Sequence, residues 1–109
     1  MNKLLKLSTI LITIGLFSYL IGQGAVYNHE LMHKKIFSRF NISSEISIDY
    51  KTLSGVTTPE NDNCLKNDIC GLEHQINDIV YYNSALIVFT LFFIFTLFMT
   101  FKIMFEKND

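Results

Sequence analysis

His29-Glu30-Leu31-Met32-His33 places two imidazoles and a carboxylate within five residues, in the order H-E-x-x-H. On a helix the two histidines stand four apart on one face, so both rings can bind one zinc ion while the glutamate between them reaches a water on that ion. Two histidines alone make a weak site, because catalytic zinc usually takes three protein ligands and keeps one position open. The remaining histidine, His74, is followed four residues later by Asp78, again on one helical face. Either His74 or Asp78 could supply the third ligand.

These residues need two elements that end at the same level. Of 109 residues, 50% are hydrophobic and the mean hydropathy is +0.30, too apolar for most soluble chains of this length. The apolar residues gather at the ends: 4–26 carries only Lys6 as an ionised side chain, and 84–105 only Lys102. Each stretch is long enough to span a bilayer. The expected fold is mainly α: two antiparallel transmembrane helices extending beyond the membrane, with a small loop and β-hairpin subdomain between them. The chain 1–109 reads as one membrane domain. Its parts are a first span at 4–26, an H-E-x-x-H helix at 27–43, a hairpin and cysteine loop at 44–70, a His/Asp helix at 71–83 and a second span at 84–105.

Tyr27 and Tyr81 read as interfacial aromatics. At about 1.5 Å per residue, His29 and His33 lie roughly 3 to 9 Å beyond Tyr27, and Asp78 and His74 roughly 5 to 10 Å beyond Tyr81. Helices packed along a Gly15/Ser18/Gly22 stripe and Ala85 would bring the four ligands to one height. The first helix is expected to run unbroken into its histidine face, although Gly22 and Gly24 offer a break at the interface. Ser44 to Tyr50 alternates polar and apolar residues, as a half-buried strand does. Leu53-Ser54-Gly55 could turn it into a return strand ending before Pro59.

His29-Glu30-Leu31-Met32-His33 resembles the active-site helix of the zincin metallopeptidases, and Asn77-Asp78 resembles the Asn-Glu of their glutamate-ligand branch, with an acid one methylene shorter. The likeness covers two short segments. It is also similar to small membrane proteins in which an H-E-x-x-H helix leaves one span and a His-x-x-x-acid helix enters the next. What this implies is zinc held by His29, His33 and Asp78, with Glu30 as general base and acid in peptide-bond hydrolysis. Asp78 is then the favoured third ligand, and His74 could replace it, join it, or act as a catalytic hydrogen-bond donor in the transition state while Asp78 holds the metal. A noncatalytic alternative has the same polar cluster clamping the loop for partner binding.

Tyr81 and Tyr82 follow Asp78 by three and four, so one phenol could face the metal, although such a pair is more often an aromatic belt. Cys64 and Cys70 enclose five residues, a spacing that permits a small disulfide loop in an oxidising compartment and favours an outside loop, with two free thiols as the alternative. Met1 to Ala25 also has the outline of a signal peptide but lacks a clean small-x-small cleavage site, so it is read as a retained anchor. That puts both termini in the cytoplasm and 27–83 outside. Nine basic and ten acidic residues exclude the basic excess of a nucleic-acid binder. The expected partners are the lipid bilayer, a peptide or membrane-protein substrate, and a second copy of the chain.

Overall fold

A computed structural model of the chain describes residues 2–107. Helix α1 runs from Lys3 to Arg39, strands β1 (Ser44–Asp49) and β2 (Ser54–Pro59) form a hairpin, a short 3-10 turn covers Asn63–Lys66, and helix α2 runs from Asp68 to Met104. Each long helix has 37 residues, about 55 Å at 1.5 Å per residue, against a hydrocarbon core of roughly 30 Å. Both are long and apolar enough to cross a membrane, and their apolar stretches are not covered by protein. The protein is therefore mainly helical, with two long antiparallel helices and a small antiparallel hairpin between them. The arrangement fits two spans.

Local chemistry sets the ends of these elements. Asn2 caps α1 by accepting from the Leu4 amide at 3.0 Å. At the other end Asn41 takes a left-handed conformation, φ 58°. The Ile42 amide then donates to the Phe37 carbonyl at 2.9 Å and the Asn41 amide to that of Ser38 at 3.1 Å. This double bond is a Schellman stop, and its apolar partners Phe37 and Ile42 join Ile36, Cys64 and Cys70 in the buried cluster under the loop. Helix α1 thus ends at Arg39, four residues short of the expected boundary. Helix α2 starts three residues earlier than expected, because the Asn67 side chain accepts from the amides of Ile69 and Cys70 at 3.0 and 3.2 Å.

Gly22 and Gly24 do not interrupt α1. The small-residue stripe does not bring the helices together. A Cβ on Gly22 would meet Leu53 of the hairpin turn at 3.5 Å, and one on Gly15 would meet nothing within 4 Å. Gly22 lies on the face that the hairpin covers, so it makes room for Leu53 and not for α2. The hairpin turn lies at Tyr50–Leu53, a few residues earlier than the sequence suggests, with Leu53 at φ 54°. The Asp49 carboxylate accepts from the Lys51 amide at 2.9 Å and opens the turn. The Tyr50 carbonyl accepts from the Tyr19 hydroxyl at 2.9 Å and from the Gln23 amide at 3.2 Å, which lays the hairpin tip back over the end of the first apolar stretch.

The strands pair Ser44 with Pro59, Ile46 with Thr57 and Ile48 with Gly55, and these six residues are the half-buried positions of the hairpin. A Cβ on Gly55 would fall 2.8 Å from Glu30 Cγ, 2.9 Å from Ile48 Cδ1 and 3.0 Å from Val26 Cγ1. Val26 is a stiff β-branched residue and Glu30 Cγ is the middle of its side chain, so neither yields easily. Gly55→Ala should destabilise the protein by about 1 to 3 kcal/mol, as overpacking does. Gly71→Ala, in α2 with nothing within 4 Å, should be neutral or stabilise by up to about 1 kcal/mol. Thermal unfolding of the two variants in one detergent checks the pair; equal melting temperatures would contradict the close approach at Gly55.

Candidate metal centre

Helix α1 presents different residues to its two neighbours. His29 and His33 lie against α2, while Glu30, one residue and about 100° around the helix from His29, lies under β2. The structure brings His29, His33 and Asp78 together. The Nε2 atoms of His29 and His33 are 3.2 Å apart. Asp78 Oδ1 is 3.2 Å from the first and 2.9 Å from the second. The three form a candidate metal-ligand group. Ligand atoms about 2.05 Å from a tetrahedral ion stand about 3.3 Å from one another, so the triangle has close to the size a small tetrahedral cation needs. The side chains of His29 and His33 are 10% and 14% exposed and that of Asp78 47% exposed, so the triangle is open to solvent on the aspartate side.

His74 is not a corner of that triangle. Its Nδ1 lies 2.5 Å from Nδ1 of His33, with the rings stacked 4.8 Å apart. One of these nitrogens carries a proton and the other accepts it. With the lone pair of His33 Nε2 turned to a cation, the proton stands on His33 Nδ1 and His74 is the acceptor. The second proton of this arrangement then sits on His74 Nε2, a buried atom without a hydrogen-bond partner. Burial, and next the neighbouring His33, push both His29 and His74 below the ordinary histidine value of 6.5. Both favour the neutral imidazole that a metal site requires.

Glu30 is the one buried charged residue among those described, at 6% exposure. The Thr57 hydroxyl lies 2.6 Å from Oε2 and 2.9 Å from the Glu30 carbonyl oxygen, within donating distance of both. Oε1 is 4.0 Å from His29 Nε2. The hairpin therefore holds one carboxylate oxygen and leaves the other beside the triangle.

Three neighbours were only partly legible in the sequence. Tyr81 stacks on His29 with ring centroids 4.0 Å apart, while Tyr82 is exposed. Burial, then Tyr82, then Glu30 raise the Tyr81 phenol and keep it neutral. The Asn77 side-chain amide lies 3.4 Å from His29 Nδ1, at the limit of a hydrogen bond. Thr57 has no signal of its own; only the alternation of β2 puts it inward. Between α1 and α2 an apolar groove of about 340 Å³, lined by Ala25, His29, Met32, Asn77, Tyr81 and Ala85, runs from this site along the helices. The half-sites are thus joined by one antiparallel helix pair. Compared with known proteins, the chain matches no family model, no curated protein and no solved structure.

The lowered histidines give stability a sign with pH. Below about 6.5 the unfolded chain binds more protons at these positions than the folded one, so stability is full above that value and falls as the pH drops toward the lowered folded values. Chelator-treated protein should melt progressively lower between about pH 7 and pH 5. His74→Gln should make that decline shallower. A melting temperature that does not move across this range would contradict the neutral imidazoles.

Proposed function

We propose that the protein is a membrane-anchored, zinc-dependent peptidase acting on peptide bonds near the bilayer surface, similar in its site to the zincin metallopeptidases. The observation that carries this reading is the His29/His33/Asp78 triangle, with edges of 2.9 to 3.2 Å and the Glu30 carboxylate beside it. Its donor set of two imidazoles and one carboxylate fits zinc, which takes nitrogen and oxygen ligands in a tetrahedron and leaves one position free. Zinc bound there supplies Lewis acidity toward a scissile carbonyl and makes water acidic enough to attack near neutral pH.

The chain's own residues do the rest. Glu30, held at Oε2 by Thr57, takes a proton through Oε1 and returns it to the leaving amine. Tyr81, a neutral phenol against His29, is placed to donate toward a developing oxyanion. His74 serves as a positioning residue that fixes the tautomer and angle of His33 through Nδ1, in place of a direct contact with substrate. The groove between the helices reaches His29 from the apolar side, which favours a hydrophobic or membrane-proximal peptide as substrate.

The disulfide between Cys64 and Cys70 supports an oxidising compartment for the loop, hence both termini in the cytoplasm and 27–83 outside. The bilayer is then a permanent partner, and a second copy of the chain would supply further walls for the cleft.

A noncatalytic reading draws on one observation: Glu30 is buried and already bonded to Thr57, as a structural carboxylate would be. In that reading the metal clamps α1 to α2 and presents the hairpin to a partner.

Zinc content per chain of detergent-purified protein decides first. Wild type should hold about one equivalent and His33→Ala none, since two ligands make a weak site. Glu30→Gln should keep its zinc and cut hydrolysis of a quenched peptide library by about 100-fold or more. Wild type without zinc after reconstitution would remove the metal and the enzyme together. Zinc with no hydrolysis dependent on Glu30 would leave the clamp.

A further inference from the structure

A second group of metal-ligating side chains lies outside the triangle. Cys64, from the 3-10 turn, and Cys70, in the first turn of α2, are joined and buried, at 7% and 0% exposure. His74 follows Cys70 by four residues on the same helix face. A ring nitrogen of His74 and both sulfurs lie within 4.8 Å of one another. Nδ1 of His74 is engaged by His33, and Nε2 is buried with no partner in the protein. A buried ring nitrogen without a partner is costly in an ordinary core, because it has given up its bonds to water for nothing. Its presence beside two sulfurs points to a ligand that the oxidised pair cannot hold.

We propose that Cys64, Cys70 and His74 form a second metal site, opened by reduction of the disulfide, that takes a thiophilic cation of the zinc class. The reductant is a dithiol. It gives two electrons and two protons to the Cys64–Cys70 bond and becomes a disulfide itself. The two thiols then lose their protons as the cation binds two thiolates and His74 Nε2, with the fourth position left to solvent. In this state His74 carries its proton on Nδ1 and donates to His33 Nδ1, while His33 carries its own on Nε2 toward Asp78, the tautomers opposite to those that a cation in the triangle requires. The cysteine Cα atoms are 5.3 Å apart, close enough for both sulfurs to reach one ion at about 2.3 Å after a small separation. A cavity of about 620 Å³, lined by Phe37, Asp62, Cys64, Leu65, Gly71 and His74, adjoins the pair and gives the dithiol and the cation a way in.

The full chain in detergent, reduced with a phosphine that is then removed under inert gas, is titrated with Cd²⁺ alone. The readout is thiolate-to-cadmium charge-transfer absorption, which imidazole and carboxylate ligands do not produce, so the band reports the cysteine site and not the His29/His33/Asp78 triangle. Reduced wild type should saturate at about one absorbing equivalent per chain. The oxidised protein should show no band, and Cys70→Ser in reductant should lose most of it. His74→Gln should bind about tenfold or more weakly, as loss of one ligand requires. No band in reduced wild type would overturn the site, as would His74→Gln binding as tightly as wild type. Loss of helical circular dichroism on reduction that cadmium does not restore would also overturn it.

Discussion

A carboxylate buried against a helix must be given a donor, and Glu30 is given Thr57. Because Glu30 follows His29 directly, a helix that turns its histidines toward α2 necessarily turns this carboxylate toward a third element. The hairpin fills that place. Its register then follows: Thr57 must face inward to reach Oε2, and two residues earlier the inward position can only be glycine, since any Cβ there would meet Glu30 and Val26. A slip of one residue would turn Val56 and Thr58 inward and leave the carboxylate unsatisfied. The order Gly55-Val56-Thr57 is thus as much a part of the site as His29-Glu30.

The same economy of contacts runs through α2. His74 stands one helical turn before Asp78, so its ring reaches the outer nitrogen of His33 while the aspartate reaches the inner one. One helix face supplies both a candidate ligand atom and the ring that meets the outer nitrogen of His33. His74 is in turn packed against Phe37, with centroids 4.3 Å apart, and beside the Cys64–Cys70 bridge. The loop's small buried cluster and the polar site are therefore one connected unit. A domain of this size has little core of its own, and the bridge compensates by tying the loop to the first turn of α2. Arg39 and Glu73, 2.6 Å apart, join the same two helix ends at the surface.

Much of this arrangement was legible in the sequence. Two long apolar runs, an alternating segment between them, and His-x-x-x-His followed by His-x-x-x-Asp are local patterns, and periodicity alone converts them into two helices, a hairpin and two half-sites. The boundaries were less legible. Asn67-Asp68 is an ordinary helix-start signal that the nearby Gly71 overshadowed, and Asn41 ends α1 through a left-handed residue that a propensity reading does not single out. Of the two glycines in the Gly15/Ser18/Gly22 stripe only Gly22 has a close neighbour, and that neighbour is Leu53 of the hairpin and not α2, because small residues on a face do not say which element approaches or whether one does.

The sequence by itself determined which side chains are candidate ligands, since residue type and helical spacing are properties of the chain, and it determined two helices long and apolar enough to cross a membrane, since hydropathy is local. Only the tertiary structure decided which half-site residues share a corner. His74 and Asp78 lie on one face and differ by about 6 Å in height, and whether the first or the second meets Nε2 of His29 and His33 depends on the axial offset of α1 against α2. That offset comes from packing the hairpin, the bridged loop and the two helices together, contacts between residues far apart in the chain. The position of Thr57 beside Glu30, of Tyr81 on His29 and of the bridge beside His74 follows from the same packing, which no spacing along the chain encodes.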